Sequence, residues 1–152
     1  MLTRLRVRYS ECDPMGVAHH SAYLPWLEIA RTELLRASGA RYADLEREGV
    51  LLAVVSLDIR YRRSARYDDQ LDIEARIVSV GRVKIEHEYE VRLAERPGAE
   101  IDLLRAAGDD LLARARTTLA CIDRDARLRP LPDSLLLART TQVSPGPRSS
   151  PA

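Results

Sequence analysis

At 152 residues, with 45% hydrophobic and 31% charged side chains, the chain has the size and composition of one globular domain with its own core. A net charge of +1 gives no global field toward nucleic acid or an anionic membrane, and no apolar run approaches the ~20 residues of a bilayer span. Cys12 and Cys121 are too few for a disulfide framework and read as free thiols in a reducing compartment, so a soluble cytoplasmic protein is expected.

The opening residues alternate. Leu5, Val7 and Tyr9 share one parity and Arg4, Arg6, Arg8 and Ser10 the other, the period of a half-buried strand and not of a signal peptide. The strand is expected to stop at Cys12-Asp13-Pro14-Met15-Gly16, where Asp-Pro and a nearby Gly mark a turn. Glu11 falls on the inward parity and is a candidate second acid, although the turn follows at once.

A helical pattern runs from about Ser21 to Ser38 and closes at Gly39, a C-cap position. Pro25 must sit near its first turn, where a missing N–H is tolerated. Its early part is apolar almost all round (Tyr23, Leu24, Trp26, Leu27, Ile29, Ala30), the mark of a buried helix. A shorter helix is expected over Tyr42 to Glu48, ended by Gly49.

Everything afterwards reads as strand. Leu51 to Arg62 starts as an apolar run and becomes alternation; Leu71 to Ile77 and Val83 to Leu93 alternate throughout, and Leu111 to Ile122 forms a last long strand. Between the last two lies Ala94 to Asp109, a polar loop with Pro97-Gly98 and Gly108 and room for a helical turn. From Ser144 the chain is rich in Ser and Pro, so a domain over residues 1–143 and a disordered tail over 144–152 are expected. The order is thus strand, buried helix, then four strands joined by hairpin-length connections. An α+β architecture follows, a strongly curved antiparallel sheet wrapped around one long central helix.

Chemistry concentrates between Tyr9 and Tyr23. The first N–H groups of the helix lack internal partners, and the macrodipole adds partial positive charge, so a carbonyl oxygen developing negative charge would be stabilised there. Just upstream stands the Asp13 carboxylate. Donors for a carbonyl oxygen with a carboxylate beside its carbon make a minimal acyl-transfer site. Asp-Pro-x-Gly is equally a common turn, and the residues alone leave both readings open.

Cys12-Asp13-Pro14-Met15-Gly16 with His20, Tyr23, Trp26, Glu28 and Arg31 resembles the signature of the 4-hydroxybenzoyl-CoA thioesterase family of hotdog-fold proteins. A second stretch, Ala65 to Glu74, resembles the turn between two central strands of that family. The resemblance covers Leu5 to Arg92 and resumes from Leu111 to Leu131. It implies a hotdog fold and hydrolysis of an acyl thioester to a free acid and a thiol. It implies Asp13 as nucleophile or as general base toward water, the backbone N–H of His20 as oxyanion donor, and Gly16 as the residue allowing the close path into the helix. Tyr23 would pack within the helix or line the pocket, and His19 would border the substrate. The pair His19-His20 departs from the aromatic or Tyr-His pair common there, and the Ala94–Asp109 loop is longer than usual in the family. Family members assemble as dimers joined edge to edge, often paired into tetramers, so a homo-oligomer with interfacial sites is expected. The partner would be an acyl-CoA or an acyl-carrier-protein thioester; a non-catalytic acyl-CoA binding module is the remaining alternative.

Arg60, Arg62, Arg63 and Arg66 form a basic stretch that would bind the phosphates of coenzyme A or simply be solvated. No cofactor is implied. His19 and His20 are adjacent and follow no metal-ligand spacing, so no metal site is expected. Cys12 stands beside Asp13, which would raise its pKa and oppose a nucleophilic role. His87, on an apolar parity, reads as a core or interface histidine.

Overall fold

The alternation of the first residues produces a short strand, β1 (Leu2–Arg6), in a computed structural model that describes residues 1–133 and Leu135. The expected tail over 144–152 lies outside the described residues. Val7 keeps its inward parity and is buried, but Tyr9 does not: it opens a 3-10 turn (Tyr9–Glu11) and is 80% exposed. The strand pattern therefore overran its strand. The Glu11 carboxylate accepts the Arg8 N–H at 2.7 Å and closes the turn before the alternation can continue.

A second 3-10 turn (His20–Ala22) leads into α1 (Tyr23–Ala37), which ends before Gly39 at φ +88°. The left-handed φ explains the glycine. Pro25 sits in the first turn, as its missing N–H requires. Tyr23, Trp26, Leu27, Ala30 and Leu34 are buried, whereas Leu24 and Ile29 are exposed. The helix is thus covered along one face, not all round, because a single sheet can only cover one side of it. A short α2 (Tyr42–Arg47) follows and stops before Gly49 at φ +72°.

Four long strands complete the chain: β2 (Leu51–Tyr61), β3 (Gln70–Val80), β4 (Lys84–Glu95) and β5 (Leu111–Ile122). The Ala94–Asp109 connection carries a six-residue helix, α3 (Ile101–Ala106). All pairings are antiparallel and the strand order is β1-β3-β4-β5-β2. Register shifts at Val54/Ser56, Ile77/Ser79 and Val91/Arg92 bend the sheet around the helix. Its inner face (Leu71, Ile73, Tyr89, Val91, Leu93) packs with Trp26, Leu27 and Ala30 in one cluster. Each large side chain enclosed in this way contributes ~1.5–3 kcal/mol relative to exposure.

The connection between β2 and β3 is not a hairpin. β2 pairs with β5 and β3 with β1 and β4, so residues 62–69 cross from one side of the sheet to the other. The second motif, Ala65 to Glu74, is this crossover with the start of β3 rather than a turn between neighbouring strands. Side-chain alternation fixes which face a residue takes and says nothing about which strand lies alongside. The crossover is pinned by Asp69, which is fully buried, accepts the Arg66 N–H at 2.7 Å and pairs with Arg96 at 2.6 and 2.8 Å. Val7 and Ala18 add backbone bonds to Asp69 and Ala65, both 2.9 Å.

β2 is an edge strand, and it is unusually bare. Val54, Val55, Leu57 and Tyr61 are 47%, 54%, 38% and 45% exposed.

Candidate active site

The residues between β1 and α1 fold into a small loop. Cys12 bridges Ala18, the Asp13 N–H donates to the Val17 carbonyl at 2.9 Å, and the Gly16 N–H donates to the Asp13 carbonyl at 2.9 Å. Reversal within so few residues needs a left-handed position, supplied by Gly16 at φ +75°. Asp13 Oδ1 accepts the Met15 N–H at 2.9 Å, so the turn-forming reading of the aspartate is realised. Its second oxygen, Oδ2, accepts no hydrogen bond among the described residues, and the side chain is half-buried. One carboxylate holds the loop with one oxygen and leaves the other without a partner among the described residues.

The chain then enters the helix. The His19 N–H donates to the Glu11 carbonyl at 2.8 Å, and the His19 ring Nδ1 accepts the Ser21 N–H at 3.3 Å while meeting the Ser21 hydroxyl at 2.7 Å. His19 is therefore a cap, with its side chain in solvent. The His20 ring is also exposed and lies 4.0 Å from that of His19, centroid to centroid. The backbone N–H of His20 donates to no group among the described residues, at the end of the helix where the dipole favours negative charge. The His20 carbonyl is occupied by the Tyr61 hydroxyl at 3.1 Å. Among the described residues no group of three or more His, Cys, Asp or Glu is placed to hold a metal ion.

Tyr23 is buried, its ring 4.7 Å from Trp26 and 5.0 Å edge-on to Tyr61. Burial pushes its phenol up. The Cys12 thiol is also pushed up, chiefly by burial and then by the adjacent Glu11 and Asp13 charges, which leaves it a poor nucleophile.

The arginines do not converge. Arg60 lies exposed on the outer sheet face, 3.8 Å from Asp58, among the alternating charges of Glu74, Arg76, Glu88 and Arg114. The Arg62 and Arg63 N–H groups both donate to the Leu112 carbonyl, and the Arg63 guanidinium pairs with Asp109. Arg66 lies on the crossover.

Tyr61 carries a contact at the site that its sequence position does not signal, and Glu11, a candidate second acid by parity, is engaged in structural hydrogen bonds. Glu11 is half-buried, and its Oε1 accepts the Trp26 indole N–H at 3.0 Å. The signal was present in its spacing, three residues after Arg8, the reach of a capping box. Alternation gives Tyr61 only a face of a strand, and its contact with the helix start depends on the sheet's curvature, which no pattern shows.

The model of the thioesterase-like superfamily matches residues 7–139. An acyl-CoA thioesterase of Haemophilus influenzae, YbgC, is 31% identical over 120 residues, 78% of each chain. The acyl-CoA thioester hydrolase YbgC of Escherichia coli is 29% identical over 133 residues, covering 87% of this chain and 90% of that one. The crystal structure of a DHNA-CoA thioesterase from Staphylococcus aureus superposes with a TM-score of 0.76 at 25% identity, over 91% of this chain and 87% of the other.

Proposed function

The chain belongs to the thioesterase-like superfamily, a hotdog-fold thioester hydrolase, and from that premise we propose that it cleaves an acyl-CoA to a free acid and CoA through the Asp13 loop. The observation that carries the reading is the pairing of two unspent groups on one short loop: Asp13 Oδ2 and the N–H of His20. The N–H polarises the thioester carbonyl and holds its oxygen as charge develops. Asp13 either attacks the carbonyl carbon itself or takes a proton from the water that attacks it. In the first route the C–S bond breaks to leave a mixed anhydride on Asp13 that water then hydrolyses. In the second, water adds to the carbonyl carbon and the C–S bond breaks directly. Either way one water is consumed, the acyl group leaves as a carboxylate and the thiolate ends protonated. Tyr23 and Tyr61 form the aromatic wall at the helix start; the exposed rings of His19 and His20 border the approach.

The site in one chain lies open, and the bare β2 edge supports assembly with a second copy. Unpaired backbone with Val54, Val55 and Leu57 beside it is the kind of edge that proteins cover. We place the working site at the junction of two such copies, in a 4-hydroxybenzoyl-CoA thioesterase-like dimer. A carrier-protein thioester fits the same Asp13 chemistry. Arg62 and Arg66 stand as phosphate or carrier contacts, while Arg60 and Arg63 have acidic partners.

The test is thiol release from aromatic, short and long acyl-CoAs by the wild type and by Asp13→Asn. Asparagine keeps an oxygen for the Met15 N–H, so the loop should hold while turnover falls by ~10²–10⁴. Unchanged turnover in the folded variant sinks the role of Asp13. No turnover of any acyl-CoA by the wild type moves the substrate to a carrier protein or the protein to a binding role.

A further inference from the structure

Toward the other end of α1, away from the Asp13 loop, Arg31 and His87 face a cavity walled by Leu34, Leu35, Leu52 and Ile77. It has about 20 Å³ of room, enough for a water or a group of two or three atoms. Two polar atoms at this place, His87 Nδ1 and Arg31 Nε, are buried with no hydrogen-bond partner among the described residues. His87 is 6% exposed. Leaving such a group bare costs ~1–3 kcal/mol, so each calls for an occupant.

The missing partner can be read from what the two groups offer. Arg31 Nε–H only donates. Its guanidinium reaches Glu28 through Nη2 at 3.2 Å, but that carboxylate is 66% exposed, so water screens the pair. The Tyr42 and Tyr89 hydroxyls lie against the same guanidinium, and Tyr89 is already engaged with Thr117 at 3.0 Å. Burial, and then the Arg31 charge, lower the His87 pKa to about 4, so the ring is neutral at ordinary pH and carries one N–H. With that proton on Nδ1 both orphaned atoms are donors, and the Ser38 and Tyr42 hydroxyls on the lining can donate as well as accept. A nearby cation favours a negative guest, and leucine and isoleucine walls favour one attached to hydrocarbon.

We propose that this cavity is a second binding site, distinct from the Asp13 loop, that takes the carboxylate head of a small aliphatic acid. The binding itself does not depend on the assignment of Asp13. Where that assignment holds, a thioester hydrolase releases a carboxylic acid, and the site responds to the chemical class of its product.

The experiment uses the full chain with ¹⁵N-labelled histidine, whose three residues give a simple spectrum. Sodium butyrate is titrated against sodium chloride at constant ionic strength. Butyrate should move the His87 Nδ1 resonance saturably and raise Tm, while chloride does neither. Arg31→Lys keeps the charge but loses the Nε donor, and should weaken binding at least about tenfold. Leu52→Trp fills the cavity and spares both donors; it should abolish the shift even if Arg31→Lys fails to fold. An equal response to chloride overturns the carboxylate assignment. A shift that survives Leu52→Trp, or no saturable response to butyrate at all, overturns the site, the cavity then holding only water.

Discussion

The indole N–H of Trp26 donates to the Glu11 carboxylate at 3.0 Å, and this one bond ties the segment leading into the Asp13 loop to the buried face of α1. The other oxygen of Glu11 accepts the Arg8 N–H at 2.7 Å, so the same side chain braces the turn that ends the first strand's pattern.

Glu11→Ala should therefore cost ~1–3 kcal/mol, because it strands a buried indole donor and a turn N–H together. Glu11→Gln keeps an acceptor for each and should cost less. Urea unfolding followed by fluorescence of Trp26, the single tryptophan, reads both variants. An Ala variant with the wild-type midpoint would show that the bond carries no stability.

Among the described residues Arg96 is the one cation paired with Asp69, whose side chain is 1% exposed while that of Arg96 is 21% exposed. Arg96→Met leaves a carboxylate buried without its charge partner and should destabilise by ~3–5 kcal/mol. The double variant with Asp69→Asn should recover part of that loss. A simple sum of the two single effects would mean that the groups do not act as a pair.

His87 predicts an acid limb. Its imidazole takes a proton at about 4 in the fold against an ordinary 6.5, so between those values the unfolded chain binds more protons. Stability is complete above about pH 6.5 and falls as pH drops toward 4, by up to about 3 kcal/mol from this group. His87→Leu should flatten that part of the pH profile, measured as the difference between the two proteins in denaturant titrations at pH 7 and 4.5. Parallel profiles would remove His87 from the account.

The β2 edge is tested by Val55→Lys, since Val55 is 54% exposed and a charge on an edge discourages pairing with another chain. Light scattering should show the wild type as an even-numbered oligomer and the variant shifted toward the single chain. Thioester turnover should fall with the shift. A variant of unchanged mass and activity would exclude this edge as the contact.

Much of this was legible in the chain. The alternations of Leu71 to Ile77 and Val83 to Leu93 became β3 and β4 with the expected inward set, and Gly39 and Gly49 ended helices at left-handed positions. The turn after β1 was legible too, since Asp-Pro with a nearby Gly marks one, and Asp13 does accept the Met15 N–H there. What the pattern could not supply was adjacency. Arg60 and Arg62 share a parity, yet Arg60 sits in the outer-face charge lattice and Arg62 lies past the strand end. Nor could spacing reveal that Asp69 would meet Arg96, 27 positions later, because that contact exists only once the crossover is made. Leu24 and Ile29 misled for a related reason: residue type shows what a position tolerates, and the sheet decides what it covers.

The strand order has a consequence for synthesis. β2 ends at Tyr61, but its one neighbour among the described residues, β5, begins at Leu111, so the segment must wait for most of the chain to be translated before it can pair. Meanwhile its valines and leucines are available to any other nascent edge, including that of a sister chain on the same message. Growth from the N-terminus lets β1, α1, β3 and β4 assemble first. The last strand to arrive seals the sheet and at the same moment sets out the edge on which a second copy can settle.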